Sequence, residues 1–229
     1  AAYTNVDGAE EEQEKAFFVN GEGVANLANY SADHAIKLIH FSTDYVFPGD
    51  KKDREKFPDG YTEEHPTDPV NAYGKSKLEG EIAIKESGCD HLIIRTSWLC
   101  GRFGNNFVKT MLKLAEEKNK LKVVDDQLGC PSFATEVVKN TWKLIDAKEN
   151  GLFHLTSKGC ISWYEFAKEL FRRREVEVEI TPVQSSEYPT KAKRPAFSLL
   201  STQKIANIPG VSIIDWKEGL QNLLDQLEQ

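Results

Sequence analysis

The chain has 229 residues, of which 40% are hydrophobic and 28% charged, and its net charge is −7. This size and balance are typical of a globular protein with one large domain or two small ones. The acidic excess argues against nucleic acid as the main partner. No apolar run approaches the roughly 20 residues of a membrane span, so we expect no membrane partner.

Cysteine usage favours a cytoplasmic protein. The four cysteines, Cys89, Cys100, Cys130 and Cys160, form no CxxC pair and no cluster with histidine at metal-ligand spacing. We therefore expect free thiols in a reducing compartment and no metal site built from them. A secretory signal peptide is not visible either, which agrees with that expectation.

The first part of the chain predicts helix and then strand. Residues 1–8 resemble a loop that follows the carboxyl end of a strand, although no strand residues precede them in the sequence. Apolar residues recur near helical spacing over residues 9–32, which predicts one helix or two short ones. Residues 35–41 predict a buried strand that ends abruptly at the polar residues 42–44. At such a tip a parallel strand presents side chains to a site.

Residues 48–66 predict a long solvated loop, since glycine, proline and charged residues are frequent there. Asp68 as N-cap and Pro69 in the first turn predict a helix that runs to about residue 86. Further strands are predicted over residues 92–94, 121–124, 151–155 and 176–181. Further helices are predicted over residues 104–118, 134–147 and 162–174, and from residue 215 onward. This alternation predicts an α/β fold with a parallel sheet and right-handed crossovers.

Tyr73 and Lys77 are four residues apart, which places a phenol and an ammonium on one face of a helix. An ammonium beside a phenol stabilises the phenolate and lowers the phenol pKa, which favours a general acid near neutral pH. Tyr164 and Lys168 have the same spacing, but Ser162 begins a capping box there. We therefore interpret the second copy as a helix start, and only the first follows a polar strand tip.

The first copy suits the chemistry of ketone reduction. When hydride reaches a ketone carbon, the carbonyl oxygen becomes an alkoxide that needs a proton, and Tyr73 fits that role. The hydroxyl of Thr43 would hold the same oxygen, and Lys77 would also bind the ribose hydroxyls of a nicotinamide nucleotide. On these residues alone, an ordinary exposed helix pair beside a self-capping strand end remains an equal alternative.

A resemblance that extends over most of the chain favours a catalytic role for Tyr73 and Lys77 over an ordinary exposed helix pair. It is carried in order by FSTDYVF (41–47), NAYGKSKLEGE (71–81), RTSW (95–98), GNNFVK (104–109), DQLGCP (126–131) and RPAFS (194–198). These blocks closely resemble the extended short-chain dehydrogenase/reductases, and within them the reductases of dTDP-4-dehydro-L-rhamnose. The resemblance implies a Rossmann-like doubly wound parallel sheet with a smaller α/β substrate lobe. It also implies NADPH or NADH as cofactor, a dTDP-sugar as substrate, and a place in dTDP-rhamnose and cell-surface polysaccharide synthesis.

The resemblance implies roles for individual residues. Tyr73 would be the proton donor, with Thr43 and Lys77 completing a catalytic triad. Thr43 and Asp44 would touch the sugar, and Trp98 would line the sugar and nucleotide site. Further substrate contacts would come from Asn105, Asn106 and Arg194, and the implied cofactor contacts are Ala1, Ala2, Tyr3, Tyr73 and Lys77. Arg194 would pair with the pyrophosphate through its bidentate donors.

The chain differs from the family pattern at its N-terminus. The family begins with a glycine-rich turn that holds the cofactor phosphates on a helix N-terminus, and no GxxGxxG occurs here. We therefore expect a fragment that lacks one βαβαβ half, about 60 residues, and that binds the cofactor weakly. Residues 1–97 and 132–157 are expected to form the rest of the cofactor lobe, and residues 98–131 and 158–229 the substrate lobe. The choice between NADPH and NADH, a homodimer, and an Mg²⁺ ion at a subunit contact stay open.

Three other functions were weighed. A dehydratase of the same superfamily would have glutamate after Asp44, where this chain has Tyr45, so dehydration is disfavoured. An epimerase uses the same tyrosine and lysine and stays open, although the Trp98 block favours reduction. A non-catalytic regulatory subunit, of the type that partners methionine adenosyltransferase, is a further alternative. The intact Tyr73 and Lys77 count against it.

Overall fold

The structure is a computed structural model and describes residues 2–228. Its α-helices are α1 Gly8–Glu11, α2 Gln13–Phe17, α3 Gly23–Asp33, α4 Asp53–Lys56, α5 Ala72–Ser87, α6 Phe107–Glu117, α7 Ala134–Asp146, α8 Trp163–Arg174, α9 Gln203–Ala206 and α10 Trp216–Leu227. Its strands are β1 Leu38–Thr43, β2 His91–Thr96, β3 Leu99–Cys100, β4 Lys120–Val124, β5 Leu128–Gly129, β6 Ser132–Phe133, β7 Gly151–His154, β8 Ile161–Ser162 and β9 Glu179–Val183. A π-helical turn, Phe18–Glu22, joins α2 to α3.

The central sheet has the order β1-β2-β7, and both strand pairs are parallel. Thr43 at the end of β1 lies opposite Thr96 at the end of β2, so the two strands end at the same edge. Helix α5 connects these strands, and α6 and α7 lie in the connection from β2 to β7. The predicted parallel α/β sheet is therefore confirmed.

Two apolar layers cover the central sheet. On one face, helices α3 and α5 pack through Val24, Ala28 and Ile84 against Ile93. On the other face lie α7 and the segment around α9, with a core of Leu92, Ile94, Val137, Leu144, Phe153, Leu155, Ile205 and Ile213. The packing on this second face differs from the lobe boundaries that the sequence predicts. Residues 205–213 were assigned with the substrate lobe, but their isoleucines pack on the central sheet.

A second core lies beside the sheet. The parallel pair β4–β9 packs with helices α6, α8 and α10 around Phe166, Leu170 and Leu220. Residues 46, 47 and 61 belong to the same cluster, so it reaches back to the end of β1. These elements form a smaller α/β unit, for which the sequence predicts a role in substrate binding.

The predicted solvated loop over residues 48–66 is partly buried, and in this respect the prediction was wrong. Tyr61 is 1% exposed and stacks on Phe47 with the ring centroids 4.4 Å apart. Its hydroxyl donates to Asp53 Oδ2 at 2.6 Å. Gly60 has a φ of +87°, and a Cβ there would lie 2.7 Å from the Leu199 carbonyl oxygen. The loop is thus fastened to the core by one aromatic side chain and one close backbone contact.

Helix α5 begins later than predicted. Its N-cap is Asn71, whose Oδ1 accepts from the Gly74 amide at 2.8 Å, and Asp68 lies in the preceding loop. The Asp68 amide donates to the Val46 carbonyl oxygen, which holds that residue outside the helix. Tyr73 and Lys77 still lie in the first two turns. The capping box that begins α8 at Ser162 is confirmed.

Two strands also differ from their predictions. The predicted buried strand over residues 35–41 is β1, and its side chains are only partly covered, with Phe41 45% exposed. The reason is its position, since β1 pairs on one side with β2 and is an edge strand within the described residues. The strand predicted over residues 176–181 is β9, and its pairing with β4 shifts it toward Val183.

A buried ion pair fastens helix α5 to the middle strand of the sheet. Arg95 on β2 donates from Nε and Nη2 to the two carboxylate oxygens of Glu81, at 2.9 and 2.6 Å. Both residues are at most 1% exposed. Arg95 also lies over the Phe47 ring, 5.0 Å from its centroid, and its Nη1 contacts His154 Nε2 at 3.4 Å. Removing one partner would leave the other charge buried without compensation.

We predict that Glu81→Gln lowers the free energy of unfolding by about 3 kcal/mol or more, because Arg95 then keeps a buried charge. A matched control is Glu179→Gln, which breaks the solvent-exposed pair with Lys120 and should cost less than about 1 kcal/mol. Urea titrations at pH 7 measure both values. Equal small losses in the two variants would contradict a structural role for the buried pair.

Candidate active site

The polar tip of β1 carries buried groups with incomplete hydrogen bonding. Thr43 Oγ1 donates to Asp44 Oδ1 at 3.0 Å and accepts from the Tyr45 amide at 3.2 Å. Asp44 Oδ2, Ser42 Oγ and Thr96 Oγ1 have no hydrogen-bond partner among the described residues, although all three are buried. Such groups at the carboxyl ends of parallel strands are typical of a ligand site.

Burial also sets the ionisation of Asp44. The side chain is 2% exposed, and desolvation raises its pKa to about 7. The nearby hydroxyls of Ser198 and Thr43 act in the opposite direction and lower its pKa. Asp44 is therefore partly protonated at neutral pH, unlike an ordinary surface aspartate.

Tyr73 lies beside this tip because α5 approaches the end of β1 very closely. A Cβ on Gly74 would lie 2.2 Å from the Tyr45 carbonyl oxygen, so the approach requires glycine at this position. The rings of Tyr45 and Tyr73 meet edge to face, with their centroids 6.0 Å apart. The predicted meeting of the strand tip and the start of the helix is thus what the structure shows.

The pKa of Tyr73 differs from the expectation. The spacing to Lys77 predicted a lowered value, but burial raises the pKa of Tyr73 to about 12, and the charge of Asp44 adds to this effect. The nearby hydroxyl of Thr43 lowers the pKa in part. The prediction was wrong because burial and the charge of Asp44 raise the pKa of Tyr73 by more than its neighbours lower it. Tyr73 is protonated throughout the neutral range and holds a proton that it can donate.

Lys77 is buried and turned toward the strand. Its Nζ donates to the Phe41 carbonyl oxygen at 2.7 Å and contacts His40 Nε2 at 3.2 Å. Burial lowers the pKa of Lys77 to about 8, while the charge of Glu81 raises it. Burial and the Lys77 charge lower the pKa of His40 to about 3, so His40 is neutral and its Nε2 can accept. Within residues 2–228 these two acceptors leave one N–H of Lys77 for a ligand.

A cleft of about 380 Å³ opens beside Tyr45 and runs along α6 and β4 of the second core. Its wall includes Phe107, Val124, Gln127 and Trp163, with Asp7 and Arg194 at one side. Trp98 stacks flat on Trp163, with the ring centroids 3.5 Å apart. Trp98 thus stands behind a cleft-lining aromatic residue, and its direct contact with a ligand remains a prediction.

Arg194 lies at the cleft with a carboxylate already bound to it. Its Nη2 lies 2.7 Å from Asp7 Oδ2, and its Nη1 donates to Asp7 Oδ1 at 3.1 Å. This pairing lowers the pKa of Asp7 and raises that of Arg194. The sequence predicted Arg194 as a partner of the pyrophosphate, and the structure adds a competing anion within the chain.

The other two predicted substrate contacts, Asn105 and Asn106, lie outside the wall of the cleft. Asn106 caps α6, since its Oδ1 accepts from the Lys109 amide and its Nδ2 donates to the Gly101 carbonyl oxygen. Asn105 is exposed in the preceding loop. Neither residue is among those that line the cleft. Their substrate contacts remain predictions.

The predicted cofactor contacts at the front of the chain are only partly described. Ala1 lies outside the described residues, and Ala2 is exposed. Tyr3 packs with Tyr73 against the same small alanine cluster. Its main-chain N–H and C=O both bond to the side chain of Asn20, which leaves the expected main-chain contact without a free N–H.

The second tyrosine and lysine pair has different surroundings. Tyr164 lies in the first turn of α8 and packs against the second core, and Lys168 is exposed. The thiols of Cys89, Cys100, Cys130 and Cys160 are free, as predicted. In the part of the chain that the structure describes, no group of three or more acidic, histidine or cysteine side chains could hold a metal ion. No helix there is long and apolar enough to cross a membrane.

Sequence reasoning missed four residues of this site. Tyr45 had served only as an argument against dehydration, but it lines the cleft beside Tyr73. His40 and Asp7 were not considered, although each contacts a predicted site residue. Trp163 follows Ser162 in the predicted capping box, and that pattern gave no indication of a place in the cleft wall. The signal for Tyr45 was its position next to Asp44, whereas no local pattern indicated the others.

The chain is similar to proteins of one known family. The model of the family described as "RmlD substrate binding domain" matches residues 1–229. The chain is 41% identical to a dTDP-4-dehydrorhamnose reductase from Sinorhizobium fredii, over 98% of this chain and 77% of that relative. It is likewise 38% identical to the dTDP-4-dehydrorhamnose reductase of Escherichia coli, with 99% and 78% covered.

Solved structures show the same similarity. A dTDP-4-dehydrorhamnose reductase from Bacillus anthracis, in complex with NADP, matches with a TM-score of 0.93 and 39% identity over 99% of this chain and 78% of that one. This match confirms the expected Rossmann-like fold. The chain therefore belongs to the dTDP-4-dehydrorhamnose reductase family.

Proposed function

We propose that this protein reduces the 4-keto group of dTDP-4-dehydro-L-rhamnose, with Tyr73 as the proton donor. The observation that carries the proposal is the meeting of three groups at the end of β1. They are the protonated phenol of Tyr73, the hydroxyl of Thr43 and the buried ammonium of Lys77. The relatives that are named dTDP-4-dehydrorhamnose reductase support this choice of substrate.

The buried polar atoms at the strand tips fit a nicotinamide nucleotide. Ser42 Oγ, Thr96 Oγ1 and Asp44 Oδ2 lack protein partners in the described residues, and hydroxyl or amide groups of a ligand would satisfy them. The remaining N–H of Lys77 would hold a ribose hydroxyl. The Bacillus anthracis relative is in complex with NADP, and this supports a nicotinamide nucleotide as the ligand of the present site. When bound, the nicotinamide supplies the hydride.

The residues of this chain handle the proton. As charge develops on the keto oxygen, Tyr73 transfers the proton of its Oη to that oxygen and becomes a phenolate. The Thr43 hydroxyl turns from Asp44 Oδ1 and donates to the same oxygen, which stabilises the charge before transfer. Lys77 then lowers the energy of the phenolate by its positive charge. An alkoxide is a stronger base than a phenolate, so a phenol with a pKa near 12 still acts as the acid.

The cleft along α6 and β4 would hold the nucleotide part of the substrate. Apolar and aromatic residues such as Phe107 and Trp163 suit the thymine ring, and Arg194 suits the diphosphate. Within the pocket, Gln127 and Thr110 offer polar groups for the base. We assign residues 98–131 and much of 158–229 to this substrate lobe. The segment 205–213 is excluded because it packs on the central sheet.

Two further parts of the proposal concern the cellular context. We place the reaction in the cytoplasm, where nucleotide sugars and NADPH are dissolved, and where the free thiols stay reduced. We also retain a homodimer as a proposal, which sedimentation of the purified protein tests. The epimerase alternative is less well supported than reduction, because the structural relative described as a putative epimerase, from Burkholderia cenocepacia, is 18% identical and shows the fold alone.

We predict that Tyr73→Phe lowers kcat by about 10²- to 10⁴-fold, because the proton donor is lost while the ring remains. The assay follows oxidation of NADPH by dTDP-4-dehydro-L-rhamnose with purified full-length protein. Tyr164→Phe is the matched control, since that residue has the same spacing to a lysine but packs in the second core, and its kcat should stay unchanged. Absence of turnover in the wild type would rule out the reductase function, whereas full activity of Tyr73→Phe would rule out only the donor.

We predict a pH-dependent stability difference between the wild type and Lys77→Met. Lys77 titrates near 8 when folded and near 10.5 when unfolded, so the unfolded chain binds more protons between these values. The wild type should therefore gain roughly 2 kcal/mol relative to the variant between pH 7 and pH 10. Urea titrations over this range measure the difference. A difference that does not vary with pH would show that the ammonium is not buried as described.

A further inference from the structure

The strap, defined as residues 188–194, crosses the side of the cleft and is held at one end by ion pairs and hydrogen bonds. Asp7 Oδ1 accepts from the Ala192 amide at 2.9 Å while the same carboxylate binds Arg194. Asn71 Nδ2 donates to the Lys193 carbonyl oxygen at 2.9 Å. Tyr188 at the other end is 56% exposed. The strap is thus fastened near Arg194, whereas the side chain of Tyr188 at its other end is largely exposed.

Asp7 occupies the same donors that an anionic ligand would use. A carboxylate and a phosphate both accept two parallel N–H bonds from one guanidinium, and Arg194 offers Nη1 and Nη2 to Asp7 in this way. Asp7 stays charged at neutral pH, since Arg194 lowers its pKa. A diphosphate that enters the cleft would meet both the guanidinium and a competing negative charge beside it.

We propose that Asp7 is a built-in competitor for the substrate diphosphate, and that binding exchanges the Asp7 carboxylate on Arg194 for the diphosphate and loosens the strap. This inference depends on the proposed function, because the diphosphate belongs to the proposed substrate. Asp7 is a positioning residue in this scheme, since it acts through Arg194. It lowers nucleotide affinity and keeps the strap in place when no nucleotide is bound.

The direction of the effect separates competition from structural support. If Asp7 competes, Asp7→Asn should bind dTDP about two- to five-fold more tightly, because one partly exposed ion pair no longer opposes binding. Asparagine retains an oxygen that can accept from the Ala192 amide, so the strap keeps that hydrogen bond and loses only the ion pair between Asp7 and Arg194. If Asp7 instead aims Arg194 at the ligand, Asp7→Asn should bind dTDP more weakly, which would overturn the proposal.

Titration calorimetry with dTDP on the full-length protein measures these affinities. Glu11→Gln is the matched control, because Glu11 pairs with Lys191 on the same strap without touching Arg194, and its affinity should remain near that of the wild type. In an Arg194→Gln background, Asp7→Asn should no longer strengthen binding, since the effect passes through the guanidinium. Stronger binding by the double variant than by Arg194→Gln alone would overturn the mechanism.

Two further measurements separate this inference from the proposed function. Thymidine has no diphosphate, so Asp7→Asn should leave its affinity unchanged, and a gain as large as that for dTDP would overturn the competition. Amide hydrogen exchange of the strap needs no ligand, and it should be faster in Asp7→Asn than in Glu11→Gln. Equal exchange would overturn the fastening by Asp7. Failure of the wild type to bind dTDP would instead contradict the proposed substrate.

Discussion

The buried ion pair between Glu81 and Arg95 is the interaction on which the site depends. It joins the middle of α5 to the middle strand of the central sheet, where neither charge contacts solvent. Two parallel hydrogen bonds fix the rotation of the helix about its own axis as well as its distance from the strand. Because Lys77 lies one turn before Glu81, the same pair determines where the ammonium meets β1. Arg95 also contacts Phe47 and so connects the sheet to the second core.

Close backbone approach adds to this constraint. Glycine at position 74 lets the first turn of α5 touch the Tyr45 carbonyl group, and glycine at position 80 lets its middle touch the Asn20 carbonyl group. The helix therefore lies nearer to its neighbours than a helix with side chains at these positions would allow. The result is a dry site in which burial, more than pairing, sets the ionisation of Asp44, Tyr73 and Lys77.

These ionisation states suit proton donation at neutral pH. Tyr73 keeps its proton, and Lys77 with a pKa of about 8 keeps most of its charge, so donor and counter-charge are both present before reaction. His40 and the Phe41 carbonyl group hold the ammonium by two bonds, which directs the third N–H away from the strand. Arg194, in the wall of the same cleft, shows the opposite arrangement. There, a charge that a ligand could use is already paired with Asp7.

The sequence by itself determined the elements that depend on neighbouring residues. Alternating helix and strand patterns indicated the parallel sheet, Ser162 indicated its capping box, and the polar tip of β1 together with Tyr73 indicated the site. Only the tertiary structure decided the features that join distant parts of the chain. The helix cap moved from Asp68 to Asn71 because of contacts with residues 46 and 193, and the pKa of Tyr73 rose because of burial beside Asp44. Local patterns carry hydrogen-bonding and periodicity information, whereas desolvation and charge pairing depend on groups as far apart in sequence as Asp7 and Arg194.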